Sequence, residues 1–393
     1  MLTERGWAVS GTGIALALLW YLFGEFELGV AALLLLAAVF TSLVFVAGRR
    51  PRLEVARRTT PTGVHDGGHA SVGLRLRNRG RVLGNISLID EVRGLGTAEF
   101  AAARFPARSE LTAHYRVMCR PRGMYPIGPA KVRASDPLGL ASVSLSVGNV
   151  DVLAVYPAVE DLDGLPGVPG RNPAIDARRP EHSQRGGEDF YTLREYQQGD
   201  DIRRVHWPSS ARRDRLMIRQ LETPWQETSL VFLDVRASSY PDEDAFEASV
   251  SAAASATRHL VRNAFETEVW AGESTATASE SDRGYAVAME RLAQVQPRND
   301  IHLGAVAAGL RHQGGGGILV LVTGHPDEEL LGMARVLSAS YPTAILMASA
   351  AGSDVDLFHR SGVVTVTPGA SGSWAEAWNR SMRTGWHVAS AGS

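Results

Sequence analysis

The side chains with the most chemical capacity are concentrated in one run, Gly187-Glu188-Asp189-Phe190-Tyr191-Thr192-Leu193-Arg194-Glu195-Tyr196-Gln197-Gln198-Gly199-Asp200-Asp201-Ile202-Arg203-Arg204-Val205-His206-Trp207, followed by Ser210-Ala211-Arg212. Paired carboxylates do general acid–base work when their surroundings push their pKa values apart, and a hydrolase built here would use Asp200, Asp201 and His206. Opposite charges this dense more often lock into bidentate Arg–carboxylate networks. Tyr191, Tyr196 and Trp207 add the aromatic area typical of binding hot spots, so the run reads as an interaction surface. No Ser-His-Asp order, nucleophile elbow or HExxH motif occurs in the chain. The one cysteine, Cys119, excludes an intramolecular disulfide framework and a multi-cysteine zinc site. Beside Arg120 its pKa would fall, but with no His/Asn partner in view it reads as a buried structural thiol. The one lysine, Lys131, is not part of a phosphate-binding GxxxxGK[ST] loop. His65, His69 and His114 have no metal-ligand spacing and read as packing or surface residues.

The chain after Glu188 alternates strands and helices. Thr228–Val235 and Gly317–Thr323 are continuous apolar runs of the kind found in strands buried on both faces. Asp242–Phe265 carries Phe246, Val250, Ala253, Leu260 and Val261 at helical spacing. Further helices are expected over Tyr285–Val295, Ile301–His312, Pro326–Ser340 and Trp374–Arg383, with strands at Glu268–Ala271, Thr343–Ala348 and Val363–Thr367. The alternation predicts an α/β fold with a doubly wound parallel sheet. Ligands in such sheets bind at the carboxyl ends of the strands, which directs attention to Asp234-Val235-Arg236-Ala237-Ser238.

Upstream, residues 53–156 follow a period of two. Strands are expected at Ser71–Asn78, Gly84–Glu91, Leu111–Cys119, Ala130–Ala134, Ala141–Val147 and Asp151–Val155, separated by turn signals such as Asn78-Arg79-Gly80. Short strands at this spacing predict a small β-sandwich of immunoglobulin-like type. Residues 157–187, rich in Pro and Gly, read as a linker between this region and the one spanning 188–385.

The chain has 393 residues, 45% hydrophobic and 21% charged, with a net charge of −2. That balance argues against a nucleic-acid binder and against a disordered chain. Residues 1–48 hold two uncharged apolar segments, Gly6–Phe23 and Leu28–Ala47, each long enough to cross a hydrocarbon layer ~30 Å thick. They form a predicted transmembrane hairpin with an acidic turn. Arg5 before it, and Arg49, Arg50, Arg52, Arg57 and Arg58 after it, place both ends and the large C-terminal region in the cytoplasm.

The block Leu193-Arg194-Glu195-Tyr196, Gly199-Asp200-Asp201, Arg203-Arg204-Val205-His206-Trp207 and Ser210-Ala211-Arg212 resembles the signature of the DUF58 family, whose block precedes a von Willebrand factor A-like domain. Arg120-Pro121-Arg122-Gly123-Met124-Tyr125-Pro126-Ile127-Gly128-Pro129 and Ser135-Asp136-Pro137-Leu138-Gly139-Leu140 are similar to the family's preceding β-region. The resemblance assigns Arg194, Tyr196, Gly199, Asp200, Asp201, Arg203, Arg204, Trp207, Ala211 and Arg212 to the family motif. It implies a membrane-anchored cytoplasmic protein whose relatives are often encoded beside AAA+ ATPases of the MoxR type; with the charged run read as an interaction surface, the expectation is a non-enzymatic scaffold whose protein partner is such an ATPase. It also implies a Mg²⁺ site of the Asp-x-Ser-x-Ser kind. Here Asp234 and Ser238 match, but Arg236 replaces the first serine and brings a guanidinium to the cation's position. Arg298-Asn299-Asp300 stands where Gly-Gly-Thr is favoured, and Thr323-Gly324-His325 lacks the usual Asp. A degenerate site without metal or other cofactor follows, with Arg236 paired to Asp234. A divalent-metal-dependent ligand-binding module is the alternative.

Overall fold

A computed structural model describes residues 1–48, 51–166, 191–196, 205–213, 215–221, 228–272, 275–279, 281–311, 316–350, 353–369 and 372–389. The chain divides into two compact units, Met1–Val159 with Met289–Gln296, and Glu160–Ala288 with Pro297–Ser393. The first unit opens with α1 (Glu4–Phe23) and α2 (Phe26–Ala47), both long and apolar enough to cross a membrane. Thr3 caps α1 by accepting the Gly6 N–H at 3.0 Å. Leu36 lies over Gly13 and Trp20 over Gly29, which fixes the antiparallel register of the pair. Ile14, Leu18, Leu22, Leu33, Leu34, Phe40 and Val44 point outward and are exposed.

Ten strands follow: β1 (Leu53–Thr60), β2 (Gly63–His65), β3 (His69–Asn78), β4 (Leu83–Val92), β5 (Gly96–Phe105), β6 (Glu110–Met118), β7 (Gly123–Ile127), β8 (Ala130–Ser135), β9 (Ser142–Val147) and β10 (Asp151–Tyr156). They make a three-stranded sheet, β1-β3-β6, and a larger one, β2-β10-β7-β4-β8-β9, with β5 paired to β4. Alternation puts Ala70, Val72, Leu74 and Leu76 of β3 inward. They meet Val92, Ile127, Leu153, Ile86, Leu88 and Val132 of the larger sheet in two apolar clusters. The six expected strands are present. β1, β2, β5 and β7 were not anticipated: β1 carries charged and polar residues along its length, β5 pairs with β4 alone and buries little, and β2 and β7 are short, β7 carrying Pro126.

One ion cluster ties the sheets together. Arg57 on β1 is almost wholly buried and bonds Asp90 on β4 bidentately, at 3.1 and 2.5 Å. Its other nitrogen reaches Asp151 at 2.9 Å. The Tyr115 hydroxyl on β6 donates to Asp90 at 2.6 Å, and burial together with that carboxylate raises its pKa. Gly128 (φ +81) lies so close that a Cβ there would collide with the Arg57 guanidinium. His65 bonds the Pro157 carbonyl at 2.7 Å and His114 packs across Gly73. Cys119 is buried, and burial pushes its thiol pKa up despite the neighbouring Arg120.

The second unit contains β11 (Tyr191–Glu195), α3 (Trp207–Arg213), β12 (Met217–Leu221), β13 (Thr228–Leu233), α4 (Glu243–Arg262), β14 (Glu266–Trp270), β15 (Thr275–Ala278), α5 (Asp282–Gln294), α6 (Leu303–Arg311), β16 (Ile318–Thr323), α7 (Glu328–Leu337), β17 (Thr343–Ala348), α8 (Ser353–Arg360), β18 (Val364–Val366) and α9 (Trp374–Ala389). Residues of α5 from Met289 onward cluster with the first unit. The main sheet has the order β15-β14-β13-β16-β17-β18. Five of these strands run parallel, as expected, but β15 is an antiparallel edge strand, so the sheet is mixed. β16 is buried at every residue, the mark of a strand covered on both faces. Phe232 stacks on its register partner Trp270 at 4.7 Å.

The Pro- and Gly-rich stretch read as a linker is held in place over its described part. The Glu160 carboxylate accepts the Trp374 and Ala375 amides at 3.1 and 3.0 Å and the Ser373 hydroxyl at 2.6 Å, so it caps α9 from outside the helix. The Gly164 carbonyl accepts from His259 Nε2 at 2.9 Å and from Trp378 Nε1 at 3.0 Å.

Candidate functional site

Between β13 and β16 the chain order reverses. The connection from β13 leads to β14 on one side, and the strand on the other side is β16. This is a topological switch point, where the carboxyl ends of parallel strands open a crevice. Asp234 follows β13 there with no solvent exposure. Its Oδ2 accepts the Ser239 hydroxyl at 2.8 Å and the Thr323 hydroxyl, from the end of β16, at 3.0 Å. The Tyr240 hydroxyl donates to its carbonyl.

Arg236 occupies the crevice. It meets Asp234 through Nε to Oδ1 at 3.0 Å and Nη2 to Oδ2 at 2.9 Å, a fork-to-fork pair. Nη1 reaches Asp327 at 2.8 Å and Glu329 at 2.9 Å, and Nη2 reaches Asp327 again at 3.2 Å. Asp327 also caps α7 by accepting the Leu330 amide at 2.8 Å, and Glu329 accepts the Leu303 amide at 2.8 Å. One guanidinium therefore joins the ends of β13, α7 and, through Glu329, α6. Burial opposes its charge, but Asp234 and Asp327 outweigh that and raise its pKa. Burial likewise works against the Asp327 carboxylate, yet Arg236 and the α7 amides hold its pKa below the usual value. Burial and the Asp234 charge push Tyr240 well up, so its hydroxyl stays a donor.

Hard-oxygen chemistry at this position would have needed hydroxyls aimed at a cation. The Asp234–Arg236 pairing expected from the sequence is present, with two further carboxylates that the spacing alone did not offer. Ser238 does not take part: it is exposed, and the hydroxyl that meets Asp234 belongs to Ser239 in a short 3₁₀ turn, Ala237–Ser239. The tight turn shifts the serine that reaches inward by one position. Among the described residues no group of three or more His, Cys, Asp or Glu side chains is arranged to hold a metal. Arg298 sits beside this turn, exchanging backbone bonds with Val235 and Ala237, and forks onto Asp300 at 2.8 and 2.7 Å. That pairing lowers the Asp300 pKa. Next to them Trp270, Gly272, His302 and Val306 line a shallow cleft of about 450 Å³.

Of the charged block, Gly199, Asp200, Asp201, Arg203 and Arg204 lie outside the described residues, and for Arg194 only the backbone, in β11, is described. β11 pairs antiparallel with β12, and the Tyr196 amide donates to the Leu216 carbonyl at 2.8 Å. His206 precedes α3 and caps it: its Nδ1 lies 2.8 Å from the Ser209 hydroxyl and 3.3 Å from the Ser209 amide. Ser210 accepts the Met217 amide at 2.9 Å and ties α3 to β12. Val205 and Met217 are buried, whereas Ala211 and Arg212 are exposed and Trp207 is 64% exposed.

The model of the family described as "Protein of unknown function DUF58" matches residues 192–340, which include β12, the Asp234–Arg236 crevice and α7. The uncharacterized protein YeaD of Bacillus subtilis is 28% identical over 218 residues, 53% of this chain and 53% of that protein. The chain thus spans about half the length of that relative. Among solved structures, a CARDB domain from Pyrococcus furiosus shares 16% identity, covers 27% of this chain and 86% of its own, and gives a TM-score of 0.21. An alkylpurine DNA glycosylase of Pseudomonas fluorescens shares 11% identity over 37% of this chain and 44% of its own, at a TM-score of 0.18. Neither likeness carries an argument about the fold or function of this chain.

Proposed function

We propose that this protein is a membrane-tethered scaffold whose α/β unit, of von Willebrand factor A-like type, presents the family-matching segment to a protein partner. Trp207 is the observation that carries the reading. A tryptophan on the first residue of a capped helix, exposed rather than packed, beside exposed Ala211 and Arg212, has the composition of a hot spot awaiting a pocket. The guanidinium filling the Asp234 crevice supports docking through protein surface rather than through a bridging metal ion. The β-region, read as an immunoglobulin-like sandwich, serves as the spacer. The two apolar helices are the anchor, with Trp20, Tyr21, Phe23 and Phe26 at the turn end, where amphipathic aromatic rings favour the lipid–water boundary.

The resemblance noted in the sequence supports a MoxR-type AAA+ ATPase as the partner. The test is capture from detergent-solubilised membranes with the full-length protein as bait, followed by titration of the purified ATPase. Trp207→Ala is expected to weaken association by ~2 kcal/mol or more, roughly thirtyfold in Kd, while the melting temperature stays unchanged. Equal binding by wild type and variant would remove Trp207 from the interface. A lowered melting temperature would make it a structural staple instead.

A further inference from the structure

The loop between β8 and β9, Asp136-Pro137-Leu138-Gly139-Leu140-Ala141, is built in an unusual way for a surface turn. Its Asp136 carboxylate is buried, 1% exposed, and receives the Leu138 amide at 2.9 Å, the Ala141 amide at 2.6 Å and the Ser42 hydroxyl of α2 at 2.9 Å. The Leu140 amide also points at it, and these donors together outweigh burial and hold its pKa low. The Asp136 and Gly139 amides bond within the loop, and the Ser142 amide bonds the Met1 carbonyl. The amides of Asp136, Leu138, Gly139, Ala141 and Ser142 thus have partners inside the protein, and Pro137 has none to offer. Two of its carbonyls are held by α1: Thr3 donates its hydroxyl to Gly139 at 2.6 Å and its amide to Leu140 at 3.0 Å. The loop packs so closely on α1 that a Cβ at Gly6 would collide with the Leu140 carbonyl.

A loop whose amides at Asp136, Leu138, Gly139, Ala141 and Ser142 are bound within the protein exposes few donors, which suits a turn at the lipid–water boundary. Its position agrees. Gly6 and Ser42 stand near the open end of the helix pair, and from their level each helix runs roughly 25 Å to the turn at ~1.5 Å per residue. That is close to the ~30 Å thickness of a hydrocarbon core. Leu43 and Val44, beyond Ser42, are apolar and exposed, so the lipid-facing surface continues past the loop's level. At the tip Leu138 is 60% exposed, an apolar side chain offered outward from an otherwise self-satisfied turn. We propose that the Asp136–Ala141 loop is the membrane-contacting edge of the β-sheet unit, with Leu138 inserted among lipid acyl chains. The inference rests on the reading of α1 and α2 as a membrane anchor. It assigns to the Asp136–Ser42 bond the task of fixing the β-sheet unit to the helices at the lipid boundary.

The experiment places a nitroxide label on Leu138→Cys in the full-length protein, reconstituted in nanodiscs of phosphatidylcholine and phosphatidylglycerol. Leu34→Cys, midway along α2, and Leu357→Cys on α8 serve as lipid and aqueous references, and unlabelled Cys119 is buried. Accessibility to oxygen and to a water-soluble nickel complex is read by power saturation. The expected result is a Leu138 label that resembles Leu34, relaxed by oxygen and shielded from nickel. A Leu138 label open to nickel while Leu34 is shielded overturns the inference and leaves the anchor standing. Nickel access at both positions overturns the anchor and the inference together.

Discussion

Asp234 has no solvent exposure, and what faces it is a cation supplied by the chain itself. Replacing Arg236 with Met would leave a buried, uncompensated carboxylate and strand Asp327 and Glu329 against each other. Such losses cost about 3–5 kcal/mol, and urea denaturation of the detergent-solubilised full chain should read a drop of that size. Asp234→Asn combined with Arg236→Met should recover much of it, because the double change removes the charge as well as its partner. The same geometry sets the metal response. Mg²⁺ should leave the wild-type melting temperature unmoved, since a guanidinium already fills the crevice. In Arg236→Ser the cation is expected to raise the melting temperature, because Asp234, Asp327 and Glu329 are then left without a positive charge. A wild-type protein stabilised by millimolar Mg²⁺ would favour the metal-dependent reading over the scaffold.

The segment Glu160–Gly164 clamps α4 and α9 through two different kinds of bond, and each gives a distinct expectation. Glu160→Ala removes the acceptor of the first amides of α9 and should cost ~1 kcal/mol, as loss of a helix cap does. His259, buried under Gly164 and edge-on to Trp378 at 5.6 Å, responds to pH. Burial lowers its pKa below the usual 6.5, and the Gly164 carbonyl compensates only in part. The unfolded chain therefore binds the proton at higher pH than the folded one. The stability that His259 contributes is fully present above about pH 6.5 and is lost as pH falls from there to its folded-state value. Thermal melts between pH 7.5 and 5 should show this slope, and His259→Gln should flatten it. None of this clamp was legible in the sequence. Five prolines and five glycines between Pro157 and Gly187 signal irregular backbone, and irregular backbone looks the same whether free or held. The strands β13, β16 and β17 were legible because a strand buried on both faces must be apolar throughout. β15 was hidden because a short antiparallel edge strand, Thr275–Ala278, leaves no such run. Asp327 illustrates the middle case. The helix over Pro326–Ser340 was expected, but that Asp327 would cap it and also meet Arg236, 91 positions away, is a property of the sheet order.

The two units carry different kinds of legibility, and the apolar helix pair is the clearer. Uninterrupted apolar composition fixed the limits of α1 and α2 to within a few residues, because a run that is apolar at every position, rather than on one face, is bounded by its first polar residues. The helices turn their Leu, Ile, Val and Phe side chains outward, the reverse of a helix pair in water. Orientation depends on the arginines at the open end, Arg5 on one side and Arg52, Arg57 and Arg58 on the other. Of these Arg57 is withdrawn into the Asp90 cluster, where its charge is neutralised before it can act on the finished fold. With the helix pair proposed as an anchor, the bias predicts that residues from Arg49 onward face the cytoplasm. Protease added to intact spheroplasts is expected to spare both units, and opening the membrane is expected to admit it. Cleavage of the β-sheet unit in intact spheroplasts would reverse the orientation and remove the α/β unit from any cytoplasmic ATPase.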